Sequence, residues 1–444
     1  MSSYAAAMAK GATFWQNWGR NQRCEPAAVT DPESELEVVE AVRAAKHAGQ
    51  TVRAIGSGHS FTDTACTDGR MLRLGHLDRF LAVDDDARTV TVEAGIPLWK
   101  LNQQLAMRNL ALTNLGDIDR QTISGALSTG THGTGLKLGG LATMLRGIEM
   151  VTADGEILRC SEREEPEVFA CARIALGALG VVTKMTLQVE PAFRLHSLEV
   201  PMPLPEMLER FDTIVETNEH VDIYWFPHTD VTTVKCNNRT DDPVHAKEGY
   251  KKWRDEIFMT NYLFGAVTRA GQVAPSLVPR LAQFVVANVG RSEKVDRSDR
   301  VFCSPRLVRF VEMEYEVPRH EAAACLLAVR ELIEREDLKV SFPVEMRVTG
   351  ADDIPLSTGY GRENAYIACH LPAGTPFERY FRGVEAIMDR VGGRPHWGKM
   401  HYQTAETLAP RYPEWSRFQA VRAKLDPEGR FRNAYLDRVL GPPS

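Results

Sequence analysis

Glu345 and Arg347 are an acidic and a basic residue separated only by Met346. They lie in a strand-like run, residues 342–348, and strand alternation puts both charged side chains on one face and Met346 on the other. A carboxylate and a guanidinium held together in this way could orient a hydroxyl group and stabilise negative charge on its oxygen. A cross-strand or surface salt bridge is the alternative interpretation, because exposed pairs of this kind are common.

A lysine follows a flexible turn farther along the chain. The glycine- and proline-containing turn over residues 392–395 leads into a His-Trp-Gly-Lys motif that ends at Lys399. An ammonium group in such a position could stabilise negative charge that develops on a cofactor ring during a reaction. A solvated surface charge is the alternative.

A short glycine-rich loop, residues 56–60 with the sequence Gly-Ser-Gly-His-Ser, follows a predicted strand over 51–55. Phe61 takes the place of the third glycine of the dinucleotide fingerprint, so the Rossmann rule fails. The glycines still allow successive N–H groups to point at a pyrophosphate. A plain tight turn is the alternative.

His59 lies in the middle of this loop. Its imidazole could donate a hydrogen bond, bind a metal ion or attack an activated methyl group as a nucleophile. No histidine at HxH or HxxxH spacing accompanies it, so no metal site is expected. A solvated loop histidine is the alternative.

A second segment of small residues, 124–135, contains four glycines and five hydroxyl residues. This composition is unsuited to an ordinary helix or a central strand. It predicts closely packed backbone around a ligand.

The elements that would position these groups alternate between helix and strand. Helix signals begin at residues 30–33 and end at Gly49, and a further helix is expected after Pro97. Strands are expected over 89–93 and 181–189, and the main domain boundary is placed at Pro191. Beyond it, a helix over 321–336 and β-rich stretches over 310–317 and 340–348 predict an α+β substrate domain.

The whole chain has the composition of an ordinary globular protein. Its 444 residues suggest two or three domains, and 43% of them are hydrophobic and 25% charged. The net charge of −6 and the lack of a long basic run exclude nucleic acid as an expected partner. Eight cysteines without a CxxC pair predict reduced, structural thiols. No secretory signal or transmembrane segment is evident, so a cytoplasmic protein is expected.

Four motifs in this order resemble those of the vanillyl-alcohol-oxidase-type flavoproteins, and specifically the aldonolactone oxidoreductases, which include gulonolactone and D-arabinono-1,4-lactone oxidases. The resemblance runs from Trp15 to Gly441, and it rests on Gly56-Ser57-Gly58-His59-Ser60-Phe61, Thr131-His132-Gly133-Thr134-Gly135, Pro343-Val344-Glu345-Met346-Arg347 and His396-Trp397-Gly398-Lys399. It implies an α+β fold with a two-subdomain FAD-binding domain of the PCMH type over 1–191. A cap, or substrate, domain over 192–395 and a C-terminal segment over 396–444 that returns to the FAD domain complete the expected architecture.

The resemblance also implies which residues bind the cofactor. His59 matches the histidine joined covalently to the FAD ring through its C8 methyl group. Val182 would contact the adenine side through its backbone. The other expected FAD-binding residues are Gly56, Ser57, Gly58, Ser60, Gly125, Ser128, Gly130, Thr131, His132 and Gly133.

The catalytic residues implied by the resemblance are Glu345, Arg347 and Lys399. Arg347 would orient the substrate hydroxyl group and stabilise alkoxide charge, and Glu345 would fix the guanidinium. Lys399 matches the lysine that stabilises the flavin after it has accepted a hydride at N5. His370, four residues after Tyr366 on a predicted strand, could line the same pocket.

The expected reaction is the oxidation of a secondary alcohol of a sugar γ-lactone such as L-gulono-, L-galactono- or D-arabinono-lactone. Electrons would pass to O2 or to another acceptor, with an oxidase favoured over a dehydrogenase. An alditol oxidase acting on xylitol or sorbitol is the alternative, and a flavin-binding protein without turnover is a third. The preferred substrate, the oligomeric state and the role of the charged segment 241–256 stay open.

Overall fold

A computed structural model describes residues 14–246, 262 and 264–443 of the protein. Residues 247–256 of the charged segment lie outside this range. The described chain forms a mixed α and β structure with two small sheets and one large sheet that account for most of the strands. The α+β architecture predicted from the sequence is therefore confirmed.

The N-terminal part contains a three-stranded parallel sheet and a five-stranded antiparallel sheet. The first has the order β3-β5-β4, and the second has the order β10-β9-β11-β7-β6. Short strand pairs β1-β2 and β8-β12 accompany them. The strands are β1 Trp15–Gln16, β2 Arg23–Cys24, β3 Ala28–Thr30, β4 Val52–Ile55, β5 Arg70–Arg73, β6 Phe80–Asp84, β7 Thr89–Glu93, β8 Leu110–Ala111, β9 Leu145–Val151, β10 Ile157–Ser161, β11 Val181–Gln188 and β12 Glu190–Pro191.

Four helices pack against these sheets, and two of them differ from the prediction. They are α1 Glu35–His47, α2 Leu98–Ala106, α3 Ile123–Ser128 and α4 Pro166–Ala172. The first helix starts later than predicted, because Ser34 accepts the capping hydrogen bond from Glu37 N while residues 28–30 form a strand. The small-residue segment 124–135 was expected to lack a helix, but Thr122 caps a short one there.

The large sheet has eight strands in the order β16-β13-β15-β14-β18-β19-β17-β20. All of them lie between Arg194 and Pro395, which is why we keep the division at 191 and 395 as our proposal for the domains. The pairings between the strands are antiparallel. The strands are β13 Arg194–Pro203, β14 His220–Trp225, β15 Val231–Thr240, β16 Ser292–Arg297, β17 Phe310–Pro318, β18 Val344–Thr349, β19 Asn364–Pro372 and β20 Arg394–Pro395.

One face of this sheet is apolar and covered by helices. Met313, Ile367 and Met346 come from three neighbouring strands and belong to one buried core with side chains of α5, α9 and α10. The helices of this part are α5 Leu204–Thr217, α6 Phe264–Val273, α7 Val278–Val286, α8 Ser298–Phe302, α9 Ala322–Arg335 and α10 Glu378–Asp389. Because strand side chains alternate, the other face carries the remaining residues of the same strands, and many of these are charged.

The C-terminal segment packs into the core of the N-terminal part. Its helices are α11 Ala405–Leu408, α12 Trp415–Leu425 and α13 Ala434–Leu440. Phe418 and Leu436 share one buried cluster with Val90 of β7 and Leu101 of α2. Within the described residues, no helix has both the length and the apolar character needed to cross a bilayer.

Candidate active site

Charged side chains from four strands meet on the polar face of the large sheet. Glu345 and Arg347 point to this face and Met346 to the apolar core, as strand alternation predicted. Strand register places Arg347 beside Tyr366 of β19 on one side, and Asp222 of β14 bonds to it from the other. The polar pair is therefore part of a larger charged surface that faces the N-terminal part of the chain.

Arg347 lies among three carboxylates. Its Nε donates to Asp222 Oδ1 at 2.7 Å, its Nη2 donates to Asp117 Oδ1, and Glu345 Oε1 is 2.6 Å from Nη2. Arg347 and Glu345 are 8% and 7% exposed, so these charges are held in a poorly solvated place. The three carboxylates come within 4.8 Å of one another, a spacing that suits a metal ion, but the guanidinium lies among them.

Two more cations balance this cluster. Arg306 Nη2 lies 2.6 Å from Asp117 Oδ2, and Lys235 Nζ lies 3.8 Å from Asp222 Oδ2. These cations and Arg347 hold the pKa of Asp117 well below its usual range despite its burial. A buried carboxylate is stable only when it is compensated in this way.

Glu345 interacts with Arg347 through charge rather than through an aligned hydrogen bond. Although Oε1 is close to Arg347, it accepts no hydrogen bond from any residue that the structure describes. Burial raises the pKa of Glu345 to about 7, with Arg347 opposing and Asp117 and Asp222 adding to the shift. A carboxyl group with these properties can accept a proton from a bound hydroxyl group near neutral pH.

The His-Trp-Gly-Lys motif runs beside β17 and is fixed on several sides. His396 N donates to Glu314 O at 3.0 Å, and the Trp397 indole donates to Leu356 O at 2.7 Å. Trp397 is fully buried, and its carbonyl oxygen accepts from Tyr435 Oη at 2.7 Å. These contacts bring Lys399 to the polar face of the sheet.

Lys399 lies next to the glycine-rich loop that contains His59. Phe61 N donates to Gly398 O at 2.7 Å, and Lys399 Nζ is 5.4 Å from the centre of the Phe61 ring. Burial and the charge of Lys399 lower the pKa of His59 to about 4. The structure therefore brings together two motifs that are 340 positions apart in the sequence.

Glu312 connects Lys399 with His370. Its Oε2 pairs with Lys399 Nζ, and its Oε1 lies 3.3 Å from His370 Nε2. Burial alone would lower the pKa of His370, but the Glu312 carboxylate outweighs burial and the pKa is raised. His370 thus lies on the same polar face as Glu345, as the sequence suggested.

His132 lies on this face as well. Its Nε2 is 3.3 Å from Glu314 Oε1, and its ring stacks on Tyr366 with 3.5 Å between the ring centres. His132, Glu314 and His396 also form a compact group, but Lys399 Nζ is only 3.9 Å from the same carboxylate. The segment after α3 therefore contributes to the charged site.

A cleft of about 820 Å³ opens between the two small sheets, at the other side of His59. Most of the predicted FAD-binding residues line it. Gly130, Thr131, His132 and Gly133 do not, so their role in binding the cofactor stays a prediction. The predicted residues that line the cleft are Gly56, Ser57, Gly58, His59, Ser60, Gly125, Ser128 and Val182.

The local structure of the cleft fits a dinucleotide. Gly58 has a φ of +68°, and a Cβ at Gly56 would come within 2.1 Å of Thr122 Oγ1, so glycine is required at both places. His59 Nε2 is buried and accepts no hydrogen bond from any described residue. The lowered pKa keeps the imidazole unprotonated at neutral pH, so a lone pair on its ring suits a bond to the flavin.

Several residues of the site were missed by the sequence analysis. Glu312 and Glu314 alternate with apolar residues in β17, and this alternation is a signal that could have indicated a charged sheet face. Asp222 lies in β14 and Asp117 in a loop. Neither carries a recognisable pattern, and both were found only through their contacts with Arg347.

Comparison with known proteins agrees with this arrangement. The chain matches the family described as D-arabinono-1,4-lactone oxidase over residues 185–439, and the FAD binding domain family over 26–161. L-gulono-1,4-lactone dehydrogenase of Mycobacterium tuberculosis is 45% identical over 429 residues, which cover 97% of this chain and 99% of that protein. L-gulonolactone oxidase of Bos taurus is 37% identical over 439 residues, with coverage of 97% and 99%.

A solved structure shows the same fold. The structure of a solvent-stable cholesterol oxidase matches with a TM-score of 0.84 and 20% identity, covering 97% of each chain. The fold and the cleft define an FAD-dependent oxidoreductase with a PCMH-type cofactor domain. Within that class, the chain belongs to the aldonolactone oxidoreductase family, whose enzymes oxidise CH–OH groups.

Proposed function

We propose that the protein oxidises a secondary hydroxyl group of an aldono-1,4-lactone, with FAD bound covalently through His59. L-gulono- and D-arabinono-1,4-lactone are the candidate substrates that agree with the names of the relatives, and L-galactono-1,4-lactone is a third candidate of the same chemical class. The observation that carries the proposal is the buried Glu345–Arg347 pair, whose Oε1 atom lacks a hydrogen bond. Bound FAD supplies the acceptor for the hydride that leaves the substrate carbon.

The residues of the sheet face have separate roles in the reaction. Arg347 binds the substrate hydroxyl oxygen and stabilises the negative charge that grows as its proton leaves. Glu345 accepts that proton, because its pKa near 7 lets it gain and lose protons at neutral pH. Asp222 and Asp117 hold the guanidinium in place, so the hydroxyl group meets a fixed partner.

Lys399 and His59 define where the flavin ring would lie. The unpaired Nε2 of His59 supports a covalent bond to the ring, and the adjoining cleft would hold the pyrophosphate and adenine. Lys399, next to the same loop, would meet the ring from the side of the large sheet. A substrate bound on this sheet face would have its hydroxyl group beside Glu345 and Arg347, and bound FAD would supply the hydride acceptor.

The first test is a visible spectrum of the purified protein before and after acid precipitation. We expect yellow colour to stay in the pellet, and a His59→Ala variant to release it into the supernatant. A wild-type pellet that loses its colour would show that FAD is not covalently bound. A protein that stays colourless after incubation with FAD would refute the cofactor assignment.

The second test identifies the substrate. Under anaerobic conditions, L-gulono-1,4-lactone, D-arabinono-1,4-lactone and xylitol are added in turn while flavin absorbance is recorded. Bleaching by a lactone and not by xylitol is expected, and the reverse result would favour the alditol oxidase. Admitting air then tests the acceptor, since an oxidase recovers its absorbance with O2 and a dehydrogenase needs another acceptor.

A further inference from the structure

Two buried carboxylates compensate the charge of Lys399. Glu312 Oε2 forms an ion pair with Lys399 Nζ, and Glu314 Oε2 lies 3.9 Å from the same atom. Both glutamates are 4% exposed. A poorly solvated site screens charges only weakly, so both carboxylates act on the ammonium group at these distances. The positive charge of Lys399 is therefore partly compensated.

The same lysine is close to the place where the flavin ring would be attached. Its neighbour Gly398 accepts a hydrogen bond from Phe61 N, two residues after His59. Through Lys399, Glu312 and Glu314 are therefore connected to the space beside His59 in which the ring would be attached. A negative charge on a ring in that space is attracted by Lys399 and repelled by Glu312 and Glu314.

We propose that Glu312, assisted by Glu314, is a positioning residue that fixes Lys399 and cancels part of its charge. It thereby lowers the affinity of the site for negative charge on the flavin. This inference rests on the proposed function, in which FAD occupies the cleft and its ring lies at His59. It assigns to β17 a role in setting how readily the enzyme is reduced.

The direction of the effect separates this role from a purely structural one. If Glu312 cancels charge, Glu312→Gln leaves a stronger cation and increases the affinity for an anionic ring. If Glu312 only holds Lys399 in place, the same substitution weakens that affinity, as Lys399→Met does. The two roles predict opposite signs for one measurement.

Sulfite is a suitable probe, because it adds to oxidised flavin to give an anionic product that bleaches the absorbance. The dissociation constant is measured by titration on holoenzyme, without any lactone. His370 also pairs with Glu312, whose carboxylate raises the pKa of the imidazole, so removal of that carboxylate would lower the pKa of His370 as well. The comparison is therefore made in a His370→Asn background, where the imidazole cannot offset the change.

A matched control is available four residues along the strand from Glu312. Glu316 lies on the same face and is fully buried, but it forms no ion pair within the part of the chain that the structure describes. Burial and the neighbouring Glu314 raise the pKa of Glu316 well above its usual range. Glu316→Gln is thus expected to leave sulfite binding unchanged.

We expect Glu312→Gln to tighten sulfite binding about tenfold and to raise the flavin midpoint potential by about 30 mV, the equivalent for a two-electron couple. Lys399→Met should weaken sulfite binding. An unchanged or weakened affinity in Glu312→Gln would overturn the inference. If Glu312→Gln does not retain FAD, Glu314→Gln replaces it as the test. Glu314→Gln should tighten sulfite binding by a smaller factor. An unchanged or weakened affinity would again overturn the inference.

The outcome also separates this inference from the proposed function. If Lys399→Met leaves sulfite binding unchanged, Lys399 is not beside the flavin and the inference is overturned along with that assignment. If Lys399→Met weakens binding and Glu312→Gln also weakens it, Lys399 keeps its role while Glu312 only supports it structurally. Reduction by lactone is measured independently of both results.

Discussion

The charge state of Glu345 is controlled by how many acidic and basic groups share its buried surroundings. Burial raises its pKa to about 7, and the neighbouring Asp117 and Asp222 add to this effect against Arg347. In the folded protein the carboxyl group therefore changes its charge within the physiological range. Because only the ionised carboxylate can accept a proton, the rate of the reaction depends on pH.

We expect kcat/KM for the lactone to fall about tenfold per pH unit below about 7, as Glu345 becomes protonated. The sign follows from the raised pKa, since the active carboxylate exists above that value and is lost below it. Glu345→Gln should slow flavin reduction by about 10²- to 10⁴-fold and abolish this pH dependence. Stopped-flow reduction across the range measures both.

His370 is the control for this profile, because its pKa is also raised. A His370→Asn variant should keep the pH dependence if Glu345 is the titrating group. Loss of the profile in that variant, or its persistence in Glu345→Gln, would assign the titration to a different residue.

Arg347 makes contacts that a lysine cannot reproduce. Its Nε and Nη2 atoms reach two aspartates in different directions, whereas an ammonium group is a single point of charge. Arg347→Lys should therefore keep the fold and the bound FAD, because the positive charge remains among the carboxylates. Reduction by substrate should fall by at least about 10²-fold, in line with the loss of a preorganised donor.

The experiment compares flavin content and single-turnover reduction in the two proteins. Arg300, an exposed arginine of α8 that makes an ion pair with the buried Asp296 away from the site, provides a control substitution to lysine. If substrate reduces the flavin of Arg347→Lys at the normal rate, the guanidinium does not act on the substrate. Loss of FAD in that variant would show instead that the cluster supports the fold.

At the residue scale, the sequence identified the central pair but not its surroundings. Glu345, Arg347 and Lys399 occur in motifs with recognisable spacing, and the structure brings all three to one sheet face. Asp117 could not be predicted, because its contact with Arg347 spans 230 positions and depends on how two parts of the chain pack. Long-range contacts of this kind leave no local pattern.

At the element scale, strand register is what assembles the site. Glu312 faces His370 across β17 and β19, and Glu345 faces Ala368 on the next strand pair. A shift of one residue in any of these strands would turn its charged residues toward the apolar core. The alternation of charged and apolar residues that the sequence predicts for β18 therefore extends across the neighbouring strands of the face. The order of the eight strands could not be derived from this alternation.

The small-residue segment shows a limit of reasoning from composition. Its glycines and hydroxyl residues argued against a helix, yet α3 forms because Thr122 caps it and accepts from Gly125 N at 3.3 Å. The same Thr122 packs against Gly56 of the loop before the cleft. The capping residue thus links the two segments expected to bind FAD.

This contact leads to a prediction for Gly56→Ala. The new Cβ would lie 2.1 Å from Thr122 Oγ1, so either the loop or α3 must move. We expect FAD affinity, measured in a His59→Ala background, to fall at least about tenfold. A strain of about 1.4 kcal/mol in the bound state is sufficient for a tenfold loss of affinity. Adding Thr122→Ala should recover part of the loss, because it removes the clashing oxygen.

Gly75→Ala is the matched control, because nothing lies within 4 Å of a Cβ at that position. Unchanged FAD affinity is expected for it. Equal affinities of Gly56→Ala and the parent would show that the loop can shift at no cost. A double variant no better than Gly56→Ala would place the clash elsewhere.

At the scale of the whole molecule, one buried core joins parts of the chain that are far apart in sequence. It contains Val90 and Leu101 from the FAD-binding part, Leu356 from the cap and Phe418 from the C-terminal segment. The family resemblance implied that the C-terminal segment returns to the flavin domain, but not which side chains it would bury. Those contacts depend on packing that no single segment specifies.

Phe418 tests whether this core behaves as one unit. Its side chain is fully buried on α12, so Phe418→Ala should reduce the free energy of unfolding by about 3–5 kcal/mol through lost burial and the remaining cavity. Because the cluster includes residues of the FAD-binding part, calorimetry should show a single transition, which moves to lower temperature as a whole, and flavin fluorescence should rise at the same temperature as the flavin becomes exposed. Leu327→Ala on α9, where the side chain is 45% exposed, should leave that transition unchanged. Two transitions, of which only one responds to Phe418→Ala, would mean that the C-terminal segment unfolds independently of the cofactor domain.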